Sequence, residues 1–142
     1  MKIVRLTGKH DRKDERGQAV AEFAMIVPIF LLLVFAIVDF GMGFHAWITV
    51  TNAAREGARL GAVGGSSIEI SDEVYATSAT LDAAQLSVIV TNAEGLPGTS
   101  VTVDVTYDYH LITPLSSVMG LVSGSTIGPN LAFKSKAEMR LE

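Results

Sequence analysis

The hydrophobic pattern of the chain has two parts with different periods. After a polar N-terminal segment, a run of apolar residues extends from Ala19 to Val38, interrupted by Glu22. As a helix rising about 1.5 Å per residue, this run is long enough to cross a hydrocarbon core of roughly 30 Å. Beyond residue 85, apolar residues recur at every second position, which is typical of strands with one buried face. The pattern predicts an N-terminal membrane helix followed by a strand-rich domain.

The helical pattern continues past the apolar run. One face is marked at spacings of three and four by Phe40, Phe44, Trp47, Thr51, Ala54, Ala58 and Gly61. We therefore predict one helix over residues 18–62, about 65 Å long, with its transmembrane segment at about 19–38 and a kink at Pro28. Asp39 is expected at the outer interface, where water solvates it. For Trp47, a place in the core or in a subunit contact is favoured over a membrane anchor.

A second motif lies near the end of this helix. Small residues recur four apart in the pairs Ala54 with Ala58 and Gly57 with Gly61. Such pairs allow another backbone to approach closely, either a sheet laid on the helix or a second helix.

Charged residues alternate with these small ones. Glu56 precedes Arg59 by three positions, which allows an ion pair, and Arg55 shares a face with Arg59. A solvated polar face is the favoured interpretation, and a salt bridge to a neighbouring subunit is the open alternative. Residues 64–67, Gly-Gly-Ser-Ser, predict the end of the helix.

The C-terminal part predicts a small sheet. Its elements are expected to be a short helix starting near Ser71, strands at 86–91, 100–109 and 131–141, and a helical turn at 115–119. In the middle strand Val101, Val103, Val105 and Tyr107 should face the helix. The apolar connection after it has three open placements: on the outer leaflet, on a neighbour or under the sheet. The predicted fold class is α+β, a long helix packed on an antiparallel sheet of about three strands.

Charge is distributed unevenly along the chain. Six basic and three acidic residues fall within residues 1–16, whereas three basic and nine acidic residues fall within 63–142. A basic flank before an apolar span stays in the cytoplasm, so we predict a cytoplasmic leader or tail at 1–17, with Gly17 as the hinge to the helix, and an extracytoplasmic domain at 63–142. The apolar run exceeds the 7 to 15 residues or so of a signal peptide, which disfavours signal cleavage. No basic face is available for nucleic acid.

The sequence contains no recognisable catalytic constellation. It has no cysteine, which excludes a thiol nucleophile and a thiolate zinc site. The histidines, at positions 10, 45 and 110, lack metal-ligand spacing. Asp104 and Asp108 would lie roughly 13 Å apart on one strand face, too far for a glycosidase pair. We therefore predict no enzyme, metal, cofactor or small-molecule substrate.

Glu22 is the most informative single residue. A carboxylate just inside a membrane span is costly and is a functional candidate by default, but an acid at a helix N-terminus can also lie at headgroup level. These two interpretations are equally supported by the residues alone. If the bond after Gly17 were cut, the new amino terminus on Gln18 would be a cation at the same depth, and it could neutralise Glu22 of a neighbouring subunit.

The segment Gly17-Gln18-Ala19-Val20-Ala21-Glu22-Phe23 resembles the processing motif of Tad (Flp, type IVc) pilins. Joined to residues 52–59, it resembles the TadE-like minor pseudopilins, and patterns at 101–115 and 137–142 are also similar to that family. The resemblance implies a type IV pilin-like fold and cleavage between Gly17 and Gln18 by a membrane aspartic prepilin peptidase, with Phe23 completing the recognition motif.

The resemblance also implies partners and roles. The expected partners are other pilins or pseudopilins, the inner-membrane assembly platform and membrane lipid, and the protein would initiate or regulate pilus assembly. Assembly or packing roles are expected for Glu22, Ala54, Arg55, Glu56, Gly57, Ala58, Arg59 and Gly61. The alternative is an unprocessed single-pass anchor in the cytoplasmic membrane that presents a small extracytoplasmic binding module.

Overall fold

The computed structural model describes residues 12–123 and 130–142. Most of the predicted tail, residues 1–11, lies outside them. The elements are, in order, helix α1 (Arg12–Ala62), helix α2 (Ser67–Thr77), a 3₁₀ turn (Ala83–Gln85), strand β1 (Leu86–Thr91), strand β2 (Ser100–His110), helix α3 (Leu115–Ser123) and strand β3 (Asn130–Arg140). The predicted fold class is confirmed: a long N-terminal helix packs on a three-stranded antiparallel sheet in a pilin-like arrangement.

Helix α1 begins earlier than predicted. It starts at Arg12 and passes through Gly17 without a break, so Gly17 is not a hinge between tail and helix in this structure. A single glycine costs a helix only about 1 kcal/mol, which the long apolar continuation outweighs. Pro28 lies inside α1. The helix ends as predicted: Gly64 adopts a φ of +90°, and the Gly65 amide donates to the Leu60 carbonyl at 3.1 Å.

Helix α2 also begins earlier than predicted, at Ser67 and not near Ser71. Ser66 is its N-cap, and its side-chain oxygen accepts from the Glu69 amide at 3.3 Å, while the Glu69 carboxylate accepts from the Ser66 amide at 2.9 Å. This reciprocal capping box satisfies two amides that the helix leaves unpaired. Ile70 and Val74 are buried and hold α2 against α1.

The sheet is an antiparallel meander in the order β1-β2-β3. Strand β2 lies in the centre, with Leu86 of β1 paired to Tyr107 and Asn130 of β3 paired to His110. The predicted inward face is confirmed, since Val101, Val103, Val105 and Tyr107 are buried. Of the alternating polar residues, Asp108 is exposed but Thr102, Asp104 and Thr106 are half-buried.

The face of α1 that meets the sheet agrees with the predicted one at Ala54, Ala58 and Gly61, but it is shifted by one position in the aromatic half. Its buried residues are Asp39, Gly43, Ala46, Val50, Ala53, Ala54, Gly57, Ala58 and Gly61. Phe40 is 79% exposed and Trp47 is 45% exposed, so Trp47 is not in the core of the subunit, and of its two favoured places the subunit contact stays a prediction. Small residues predominate where α1 approaches the sheet most closely: a Cβ on Gly61 would lie 2.9 Å from Cγ2 of Val101. The aromatic residues are consequently turned outward by about 100°, the rotation of one helical residue.

Candidate functional site

The four predicted processing residues lie together on the exposed N-terminal part of α1. The Gln18 side chain donates from Nε2 to Oε1 of Glu22 at 3.0 Å, one helical turn away. Gly17 has open space around it, and the Phe23 ring is mostly exposed. The segment is therefore accessible from outside the subunit, and Glu22 has an amide partner within its own helix.

The small residues near the end of α1 pack inside the subunit. Ala54 and Ala58 are fully buried. A Cβ on Gly57 would lie 2.7 Å from Cγ2 of Val74, and one on Gly61 would lie 2.9 Å from Cγ2 of Val101. The close approach predicted for this motif is observed, and the approaching elements are α2 and the sheet. This face is occupied within the subunit, so it is not open to a helix from another subunit.

The charged residues of the same motif lie on the solvent side. Arg59 forms the predicted ion pair with Glu56, with Nε donating to Oε1 at 3.0 Å, and Arg55 is exposed. The hydrogen bond from Arg59 lowers the pKa of Glu56, and the same bond raises the pKa of Arg59. Exposed pairs of this kind contribute little to stability because water and salt screen them.

Asp39 is the polar residue that sequence reasoning misplaced. It is only 3% exposed, so the prediction that water solvates it is wrong. Its Oδ1 accepts from the backbone amides of Ile112 at 2.9 Å and Thr113 at 3.2 Å, and its Oδ2 accepts from the Thr113 hydroxyl. A buried carboxylate needs such donors to offset the loss of hydration. Asp39 therefore binds α1 to the loop that follows β2.

Two further hydrogen bonds extend this connection. The Tyr109 hydroxyl donates to the backbone carbonyl of Asp39 at 3.2 Å, and the Leu115 amide at the start of α3 donates to the Thr113 hydroxyl oxygen at 3.3 Å. Burial raises the pKa of Tyr109, and the charge of Asp39 adds to the increase. Asp39 and Thr113 together thus connect α1, β2 and the start of α3 where the apolar run ends.

The sequence did carry one indication of this role. Asp39 is the only acid between Glu22 and Glu56, and such an isolated charge beside an apolar run often has a specific partner. Its partner is the loop at Ile112 and Thr113, more than seventy positions away. The local sequence pattern around Asp39 does not identify this loop.

The histidines do not form a metal site in the part of the chain that the structure describes. His45 and His110 line one groove of about 380 Å³ between α1 and β2, together with Asp82. Within residues 12–123 and 130–142, no cluster of three or more His, Asp or Glu side chains is placed to hold a metal ion.

Residues 17–59 match the family model described as TadE-like protein. Over this segment the chain is similar to TadE-like proteins. The TadE-like match begins at Gly17 and includes the processing residues, Asp39 and the small-residue motif as far as Arg59, so it covers most of α1 and none of the sheet. No curated protein matches the chain. No solved structure matches it either.

The TadE-like segment is also the membrane candidate. Among the described residues, α1 is the one helix long and apolar enough to cross a membrane, and very little of its most apolar window is buried. This indicates a single-pass membrane protein. The similarity of this segment to TadE-like proteins suggests a protein associated with a Tad pilus system.

Proposed function

We propose that the protein is a minor pseudopilin that a prepilin peptidase cleaves between Gly17 and Gln18, and that then acts in Tad pilus assembly or in the associated secretion. The observation that carries this proposal is the TadE-like match, which starts at Gly17 on an exposed, apolar α1. Its N-terminus lies in the cytoplasm and residues 63–142 lie outside the cytoplasmic membrane, as the charge asymmetry favours.

The surroundings of the scissile bond support access by a peptidase. Proteolysis requires an extended backbone, so the helix must open locally at Gly17. Glycine lowers the cost of this opening by about 1 kcal/mol relative to alanine. No side chain of the described residues lies within 4 Å of the position that a Gly17 Cβ would occupy. Within the part of the chain that the structure describes, opening at Gly17 therefore breaks local helical hydrogen bonds without disturbing a side chain packed on this glycine.

Cleavage would create the cation that Glu22 lacks. The new amino group would belong to Gln18, one helical turn from Glu22. The side chain of Gln18 already donates a hydrogen bond to the Glu22 carboxylate. In an assembled bundle, the amino terminus of one subunit neutralises Glu22 of the next, which removes the cost of a carboxylate in the membrane and fixes the register of the two helices. Phe23 completes the segment that the peptidase recognises.

The partners follow from this role. They are the prepilin peptidase, other pilins or pseudopilins and the inner-membrane assembly platform, with lipid around the span. Because the small-residue face of α1 is filled by its own sheet, contacts with other subunits use the exposed N-terminal half of α1 and solvent-side residues such as Arg55, Glu56 and Arg59.

Two glycine variants test the cleavage. Gly17 and Gly41 are both helical, and a Cβ at either would meet nothing within 4 Å. We expect Gly17→Val to abolish processing in cells with active peptidase, while the matched Gly41→Val protein is processed like wild type. The measurement is the intact mass of the membrane-extracted chain. A wild-type chain that keeps the residues before Gln18 would contradict the proposal and support the unprocessed anchor.

A further inference from the structure

One end of the C-terminal domain is held where the apolar run of α1 stops. Asp39 binds the backbone of Ile112 and Thr113, and the Tyr109 hydroxyl donates to the Asp39 carbonyl. If residues 19–38 fill the roughly 30 Å of hydrocarbon, Asp39 lies at its outer boundary. The loop before α3 is then held at the same depth.

This end of the domain has no formal charge of its own, and the Asp39 carboxylate that it binds is buried. Residues 111–133 contain no Asp, Glu, Lys or Arg. Both long strands bring their ends here, because His110 of β2 pairs with Asn130 of β3. At about 3.3 Å per residue, the nearest strand charges, Asp108 and Lys134, are roughly 7 Å and 13 Å further along their strands. By contrast, the loop between β1 and β2 and the capped start of α2 each contain an acidic residue. The absence of charge is therefore specific to this end of the domain.

Apolar side chains are exposed at this level. Ile112 is 63% exposed although the Asp39 carboxylate holds its amide. Leu131, which pairs with Tyr109, is also exposed, and Phe40 projects from α1 directly after Asp39. Exposed apolar surface of this kind is unfavourable in water and marks a contact with lipid or protein.

We propose that the exposed Ile112 and Leu131, together with the half-buried Leu115 and Val118 of α3, form a membrane-contacting end of the domain, which rests on the outer leaflet at the boundary between headgroups and acyl chains. Lipid is the expected contact because it surrounds a single-pass α1 at this depth even before the subunit binds another protein. A surface that leaves water must lack charge, and this end does. The inference rests on the proposed span and orientation of α1, but not on cleavage after Gly17.

The natural absence of cysteine permits a direct test. Single variants Ile112→Cys and Val118→Cys in the full chain are nitroxide-labelled and reconstituted in phosphatidylcholine and phosphatidylglycerol vesicles. Accessibility to oxygen, which concentrates in lipid, is compared with accessibility to a water-soluble nickel chelate. Leu96→Cys, an exposed apolar site in the loop between β1 and β2, is the matched control, and Ile29→Cys reports on the span itself.

We expect the oxygen-to-nickel ratio at positions 112 and 118 to exceed that at Leu96 severalfold and to lie below that at Ile29. Ratios at 112 and 118 equal to that at Leu96, with a high ratio at Ile29, would overturn the membrane contact alone. Shielding of both labels from both reagents would also overturn it, since that result indicates a protein contact. A water-like ratio at Ile29 would instead refute the span, and with it the proposed membrane topology.

Discussion

Replacement of Asp39 should weaken the connection between α1 and the sheet domain by a measurable amount. Its carboxylate accepts from two backbone amides and one hydroxyl and is almost completely buried. Hydrogen bonds to charged groups contribute about 1.5–3 kcal/mol each, and buried donors left unpaired cost about 1–3 kcal/mol each. Because the loop can relax towards water, the three effects do not add fully, and we expect Asp39→Ala to lower the free energy of unfolding by about 3 kcal/mol.

Asp39→Asn should cost less, about 1 kcal/mol, because the retained carbonyl oxygen can still accept from Ile112 and Thr113 while the Thr113 hydroxyl rotates to accept from the new amide. Thr113→Val should be similar, since it removes one donor and the acceptor of the Leu115 amide. Asp72→Ala, at an exposed acid of α2, is the control and should stay within about 0.5 kcal/mol.

The assay is denaturant unfolding of the full chain in micelles, combined with amide hydrogen exchange. In wild type, the amides of Ile112 and Thr113 should be protected, and Asp39→Ala should remove their protection before that of β2. If these two amides exchange equally fast in wild type and in Asp39→Ala, or if Asp39→Ala is as stable as Asp72→Ala, then Asp39 does not hold this loop.

Three other predictions follow from single contacts. Gly57→Ala places a Cβ 2.7 Å from Val74 and should destabilise the domain by about 1–3 kcal/mol in thermal unfolding, whereas Gly41→Ala meets nothing and should not destabilise it. Glu22→Ala should leave membrane insertion intact and reduce crosslinked subunit pairs and pilus number; unchanged numbers would exclude the neutralisation of Glu22. The Ser66 amide lowers the pKa of Glu69, so its contribution to stability is present above the unfolded pKa of about 4.3 and is lost as pH falls through the folded value. Glu69→Gln should therefore flatten the acid limb of a plot of Tm against pH, and an unchanged limb would contradict the capping role.

The elements that sequence predicted well are those specified by local patterns. The strict alternation around Val101 and Val103 defines β2 and its buried face, because a two-residue period has one interpretation. The Gly64 turn ends α1 for an equally local reason, since glycine readily adopts the positive φ found there. The capping box of Ser66 and Glu69 is an equally local pattern, and it starts α2 four residues before the predicted position near Ser71.

The misplaced features depend on what α1 packs against. The spacing of Phe40 and Trp47 places them on one packing face with Ala54, Ala58 and Gly61, as is usual for the apolar side of an amphipathic helix. In this subunit the sheet approaches α1 so closely that glycine and alanine occupy the contact, and the aromatic residues point outward. The burial of Asp39 has the same origin. Its hydrogen-bond donors belong to the loop after β2, which lies near α1 only when the sheet is folded.

The most direct test of the proposed function is the N-terminus of the chain in the presence and absence of prepilin peptidase. Intact mass and N-terminal peptides would be measured on protein extracted from the same membranes, with and without an active enzyme. A subunit of a Tad pilus system should begin at Gln18 when the peptidase is active and keep the residues before Gln18 when it is not. The same uncleaved N-terminus in both preparations would contradict processing and leave an unprocessed membrane anchor.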